Sequence, residues 1–209
     1  MKRTIYSREP DILGNFDIDC EEMMFVQDMP VAMPREDVRL PHNLECFRPL
    51  INAVMRSGAD FYSYIYLSAK RMFVSPDSNY NRSGWHIDGF GTEDKNYLWS
   101  DSNPTEFCVN QEFVLSDDHT QSMREMEAQA GVGNIKTYPN GSLIGVDNTI
   151  VHRVAKVIHP GLRTFAKVSV SKNKYNLLGN AHNYLFDYDW EMVERNLERN
   201  DTSVKKGHQ

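Results

Sequence analysis

Residues 142–171 read SLIGVDNTIVHRVAKVIHPGLRTFAKVSVS, and this stretch decides the class of the chain. Ser142 to Asp147 and Ile150 to Val157 are apolar and β-branched, and Arg163 to Ser171 alternates, so the pattern predicts three strands in succession. Asn140-Gly141 supplies a turn before the first, and His159-Pro160-Gly161 a turn before the third. A hairpin there would set Arg163 beside the strand of His152. Upstream, Phe61 to Val74 (FYSYIYLSAKRMFV) is a long aromatic and β-branched run. As a strand it places Tyr62, Tyr64, Tyr66, Ser68 and Lys70 on one face. Tyr97 to Trp99, Glu106 to Leu115 and the short Met23 to Val26 read as further strands.

Helical signals lie outside and between these runs. Leu44, Phe47, Ile51, Val54 and Met55 recur at helical spacing. Pro49 fits the first turn of a helix that begins near Arg48, and Gly58 is its stop. Ser116 to Ala130 reads as a second helix, with Ser116 as cap and Gly131 as stop. Trp190, Val193 and Leu197 share one face of a third, capped by Asp187 or Asp189. The expectation is a mainly β chain with flanking helices, its antiparallel sheet closed or sandwiched.

Composition sets the outer bounds. A chain of 209 residues, 40% apolar and 25% charged, suits one domain with its own core. No apolar run approaches a membrane span, and no apolar segment follows the basic N-terminus as a secretory signal requires. Cys20, Cys46 and Cys108 are odd in number and lack C-x-x-C spacing, so they are expected as reduced thiols in a cytoplasmic protein. A net charge of −6 disfavours the broad basic face of a duplex-binding protein, though a local groove for nucleic acid stays open.

Within that frame, Gly84-Trp85-His86-Ile87-Asp88-Gly89 carries the chemistry. Residues i and i+2 of an extended segment face the same way, so His86 and Asp88 point at one target while Ile87 packs behind. A lone H-x-D occurs by chance in a chain with seven histidines. His152, on a later strand, adds a second imidazole. Two imidazoles and one carboxylate on one face of an octahedral ion form the facial triad of non-haem Fe(II) oxygenases. Arg163, eleven residues beyond His152, is suited to grip a carboxylate with its planar fork of donors. Arg153 and Lys167 are the fallback partners, although Arg153, adjacent to His152, is expected on the opposite face.

Trp85 to Gly89, Gly141 to Ile144 running into Asp147 to Val154, and then Arg163 together resemble the Fe(II)/2-oxoglutarate-dependent dioxygenase superfamily, over roughly residues 62–171. The resemblance implies a double-stranded β-helix (a cupin-like jelly roll) within a single domain 1–209, its core at about 61–171. It implies Fe(II) on His86, Asp88 and His152, with 2-oxoglutarate and O2 as co-reactants and Arg163 on the distal carboxylate of 2-oxoglutarate. A hydroxyl of Tyr62, Tyr64 or Tyr66 is expected to add a cosubstrate contact. The implied reaction decarboxylates 2-oxoglutarate to succinate while hydroxylating a small polar substrate, amino acid or nucleotide-like, in a monomer or homodimer. The polar loop 75–83 and the segment 90–99 are expected to line or cover that substrate, with Asn81, Arg82, Tyr97 and Trp99 in contact. In one departure, the residue two beyond the arginine, often serine in the family, is Phe165.

Two readings stand beside this one. The first is a jelly-roll metal-binding protein without redox activity, such as a cupin-like isomerase or sensor. The second keeps the oxygenase but gives it a protein side chain or nucleic acid as substrate. No H-E-x-x-H helix, G-x-S-x-G elbow or phosphate loop is present in the sequence.

Overall fold

A computed structural model describes residues 2–77, 84–157 and 160–195, and strands dominate it. The long aromatic run forms β4 (Tyr64–Val74), and the last strand is β11 (Gly161–Ser171). The two pair antiparallel along their full lengths, from Gly161 opposite Val74 to Ser171 opposite Tyr64. Around them a six-stranded antiparallel sheet adds β2 (Asp11–Asn15), β3 (Met24–Ala32), β5 (Lys95–Ser100) and β9 (Ser142–Val146), in the order β2-β9-β5-β11-β4-β3. A three-stranded sheet consists of β10 (Val151–Arg153), β6 (Glu106–Cys108) and β8 (Ile135–Thr137), and β1 (Lys2–Ser7) pairs with β7 (Gln111–Ser116).

Alternation along the long strands gives the large sheet two unlike faces. Ile65, Leu67, Ala69, Ala166, Val168 and Val170 point to one side with Tyr97, Trp99 and Leu143. There they meet Leu50, Ile51, Ala53 and Val54 of α1 (Arg48–Arg56), which has its proline in the first turn and follows a 3-10 turn over His42–Phe47. Each fully buried aliphatic side chain in this layer contributes about 1.5–3 kcal/mol. On the other side Leu98, Ile144 and Val146 pack against Phe107, Val109 and Ile150, so the sheets lie face to face at one end. Beyond that contact the inward face turns polar, with Ser68, Lys70, Arg163 and Lys167 bordering a cavity. A third cluster joins Ile5, Phe113 and Leu115 to Met123 and Met126 of α2 (His119–Gln129), behind Trp85, Ile87 and Val151.

Several expectations need correction. Glu106 to Leu115 is two strands in different sheets, because Asn110 takes a left-handed φ of 56° between them. The cap of α2 is Asp118, whose carboxylate accepts from the Gln121 N–H at 2.8 Å, while Ser116 ends β7. Arg163 has no hairpin to the His152 strand: β10 pairs with β6, and the chain crosses to the large sheet before β11. Up to residue 195 the C-terminal segment is not helical. Trp190 packs edge-on against Tyr64 at 5.6 Å, and Val193 bonds through its backbone to Asn176 and Leu178. These cross-chain contacts override the helical periodicity; Leu197 lies outside the described residues. No helix among the described residues is long and apolar enough to cross a membrane.

Candidate metal centre

The site is assembled by a pair of facing histidines. His86 and His152 exchange both backbone hydrogen bonds, each N–H to the other's carbonyl at 2.9 Å, as a single antiparallel bridge. Their rings therefore leave the backbone side by side, with centroids 4.6 Å apart. Buried Ile87 faces the opposite way into the apolar cluster behind, which turns Asp88 back toward the histidines. One donor atom from each of His86, Asp88 and His152 lies within 4.8 Å of the other two.

The tautomers follow from the neighbours. His86 Nδ1 lies 2.9 Å from the Gly84 carbonyl oxygen, and His152 Nδ1 lies 3.0 Å from that of Ile150. A carbonyl only accepts, so both Nδ1 atoms carry a proton, and Nε2 is the nitrogen left to ligate. His152 Nε2 and the Asp88 carboxylate are 3.9 Å apart. This is too long for a hydrogen bond and close enough for both groups to reach one ion. The donor set, two imidazoles and one carboxylate, fits a divalent transition metal.

Local sequence explains why these side chains are held. Gly89 has φ 71°, and a Cβ there would stand 3.1 Å from Thr92 Oγ1 and 3.2 Å from the Asp94 carbonyl oxygen. Only glycine turns the chain this tightly after Asp88 without strain. Asp147 Oδ1 accepts from the N–H and the hydroxyl of Thr149, forming the turn into β10. Asn148 Nδ2 donates to the Thr92 carbonyl at 2.7 Å, tying the two ligand-bearing loops together.

The donors open into a cavity of about 490 Å3 between the sheets, within the range of small-molecule sites. Arg163 borders it from the large sheet, only 4% exposed. Its Nε donates to the Ser102 carbonyl at 3.0 Å, and the guanidinium lies 5.2 Å from the Phe165 ring centre. Burial pushes its pKa down to about 10, against the favourable charge of Asp101. Phe165 and Lys167 also border the cavity, while buried Thr164 faces the other way and accepts from Arg71. Arg153 turns outward, paired with Glu106 at 2.7 Å and stacked over Trp85.

Other expected contacts are not brought here. Tyr62 precedes β4, exposed beneath the Arg35 guanidinium. Tyr64 stacks with Tyr66 and Trp190. Buried Tyr66 stacks on Tyr175, donates its hydroxyl to the Asn173 carbonyl and accepts from the Tyr175 N–H; burial pushes its phenol well above the usual range. None of the three tyrosines borders the cavity, where β4 contributes Ser68 and Lys70 instead. Tyr97 and Trp99 stand on the outer face of β5 in the α1 core, because the pleat sends Leu98 inward. Phe90 packs on His119 and Arg3. Asn81 and Arg82 lie outside the described residues.

The structure adds Gln27, Asp28, Thr105, Val154 and Arg195 to the cavity wall. Ser68 and Lys70 were legible as inward residues of β4. Gln27 and Asp28 had no signal, because a register shift between Val26 and Met29 presents them.

Comparison with protein-family models, with curated proteins and with solved structures finds no match. The geometry therefore carries the functional reading alone.

Proposed function

We propose that this protein is an Fe(II)- and 2-oxoglutarate-dependent dioxygenase that hydroxylates a small polar molecule, and that its two face-to-face antiparallel sheets are the halves of a double-stranded β-helix. One observation carries the reading: three converging donors, with both histidine tautomers set for Nε2 ligation, open into a cavity whose opposite wall holds a buried arginine. In this reading His86, Asp88 and His152 would hold the ion at the edge of the cavity.

When bound, the iron supplies the redox chemistry that couples decarboxylation of 2-oxoglutarate to oxidation of a second molecule. The chain's own residues bind, orient and exclude water. Arg163, with its Nε committed to Ser102, offers its remaining donors to the distal carboxylate of the diacid. Leu98, Val154 and Phe165 present apolar surface around the reacting space. The carbonyls of Gly84 and Ile150 hold the imidazole rings in orientation.

Anaerobic titration with Fe(II) and 2-oxoglutarate tests this directly, with a visible charge-transfer band expected for the wild type and none for His152→Ala. Aerobic turnover should then release succinate, and release should rise when the right metabolite is added. A tightly bound Zn(II) with no such band and no succinate would favour the redox-silent alternative, since the same donors accept zinc.

A further inference from the structure

The connection between β5 and β6 carries a buried hydroxyl that the fold itself does not engage. Residues 101–105 pass from the large sheet, which holds Arg163, to the three-stranded sheet, which holds His152. This passage is pinned step by step. The Asp101 carboxylate accepts from the Thr164 N–H at 2.9 and 3.0 Å, and the Asp101 N–H donates to the Thr164 carbonyl at 3.2 Å. The Ser102 carbonyl accepts from Arg163 Nε. Asn103 Nδ2 donates to the Ala155 carbonyl at 3.0 Å, which ties the connection to the chain just beyond β10. Thr105 closes the run, 9% exposed and on the cavity wall.

Its direction follows from the pleat. Phe107, two residues on, pairs with His152 and packs between the sheets, so Thr105 faces inward as well. The ladder ends at Glu106 opposite Arg153, and the next residues along, Thr105 and Val154, both border the cavity. Thr105 therefore lies one inward position beyond the His152 pair and three residues from the carbonyl that orients Arg163. Among the described residues its hydroxyl has no hydrogen-bond partner, and neither have the two terminal nitrogens of the buried Arg163. Buried polar groups left without partners cost free energy. A carboxylate, which accepts at two oxygens, satisfies a guanidinium and a hydroxyl together. Phe165, the residue two beyond Arg163, has nothing to donate.

We infer that Thr105 is the hydroxyl donor that joins Arg163 in gripping the distal carboxylate of the diacid cosubstrate. This rests on the function proposed above, because it assigns a further binding residue within that same site. One rigid connection then does two things: its Ser102 carbonyl fixes the guanidinium, and its Thr105 hydroxyl completes the set of donors. Because the connection joins the two sheets, it holds that donor set in register with the triad.

Thr105→Val removes the hydroxyl and keeps the branched shape, while Thr105→Ser keeps the hydroxyl. The anaerobic charge-transfer titration gives the Kd of each variant for 2-oxoglutarate and for 2-oxopentanoate, the five-carbon keto acid without a distal carboxylate. Thr105→Val should raise the Kd for 2-oxoglutarate about tenfold or more, as loss of a hydrogen bond to a charged group does. Its Kd for 2-oxopentanoate should match that of the wild type, and Thr105→Ser should hold 2-oxoglutarate within about threefold. Thermal melts and Co(II) titration confirm that both variants fold with the triad intact. An unchanged Kd for 2-oxoglutarate in Thr105→Val, or an equal loss for both keto acids, overturns the inference. If the wild type gives no band with 2-oxoglutarate, the proposed function falls, and glutarate titration of the metal-free protein by ligand-observed NMR decides the carboxylate site by itself. Glutarate binding weakened in Thr105→Val and kept in Thr105→Ser supports that site. No binding, or binding indifferent to Thr105, overturns it.

Discussion

Replacing Arg163 by methionine should separate what this side chain does for binding from what it costs the fold. The guanidinium is 4% exposed, and burial depresses its pKa from 12.5 to about 10. At neutral pH it is charged in both folded and unfolded chains, and the depressed value means that folding opposes the charge by roughly 3 kcal/mol. That cost is fully present below pH 10 and eases only as pH rises through it, so between pH 5 and 9 the effect on stability is flat. Against it stand the hydrogen bond to the Ser102 carbonyl and the contact with Phe165, each about 1 kcal/mol. The net expectation is a variant as stable as the wild type or up to about 1 kcal/mol more so, melting at most about 4 °C higher. Binding should move the other way. A charge-assisted contact to carboxylate contributes about 1.5–3 kcal/mol, so the Kd for 2-oxoglutarate should rise roughly 10- to 150-fold. The anaerobic charge-transfer titration measures the Kd and a thermal melt measures stability. An unchanged Kd would refute the role of Arg163, and a variant that melts many degrees lower would show the guanidinium to be a structural strut.

Three further perturbations probe the supports of the site. Gly89→Ala forces a left-handed conformation and a Cβ 3.1 Å from Thr92 Oγ1; a loss of about 1–2 kcal/mol in chemical denaturation, with weaker Co(II) binding as Asp88 shifts, is expected. Asp118→Ala removes the cap of α2 and should cost about 1 kcal/mol, lowering the melt by about 2–4 °C while Co(II) affinity stays constant. Arg153→Met breaks the Glu106 pair and the Trp85 stack; about 1 kcal/mol or less of stability should go, and a rise in 2-oxoglutarate Kd matching that of Arg163→Met would contradict the outward placement of this arginine.

The chain's own pattern was informative where one element decides the answer. Pro49 inside the first turn of α1, alternation along β4 and β11, and Ile87 buried between His86 and Asp88 all follow from local periodicity and could be read in one dimension. Thr164 facing away from Phe165 and Arg153 facing away from His152 are consequences of the same pleat. Where a residue's direction depends on what its neighbours cover, the pattern misled. Tyr97 and Trp99 look like ligands for a ring, yet α1 covers their side of β5 and makes them core. Trp190 looks helical, yet Tyr64 and Tyr66 offer it aromatic partners.

By itself the sequence determined the strand-rich class, the identities of the metal-donor candidates and the inward set Arg163, Phe165 and Lys167, because these depend on residue type and a two-residue repeat. Tertiary structure alone decided that His86 lies opposite His152, that Arg163 reaches the cavity from the other sheet, and that a bulge in β3 delivers Asp28 to Lys167. Those outcomes depend on sheet pairing and register between segments far apart in the chain, which hydrogen bonds across strands select and no local run of residues encodes.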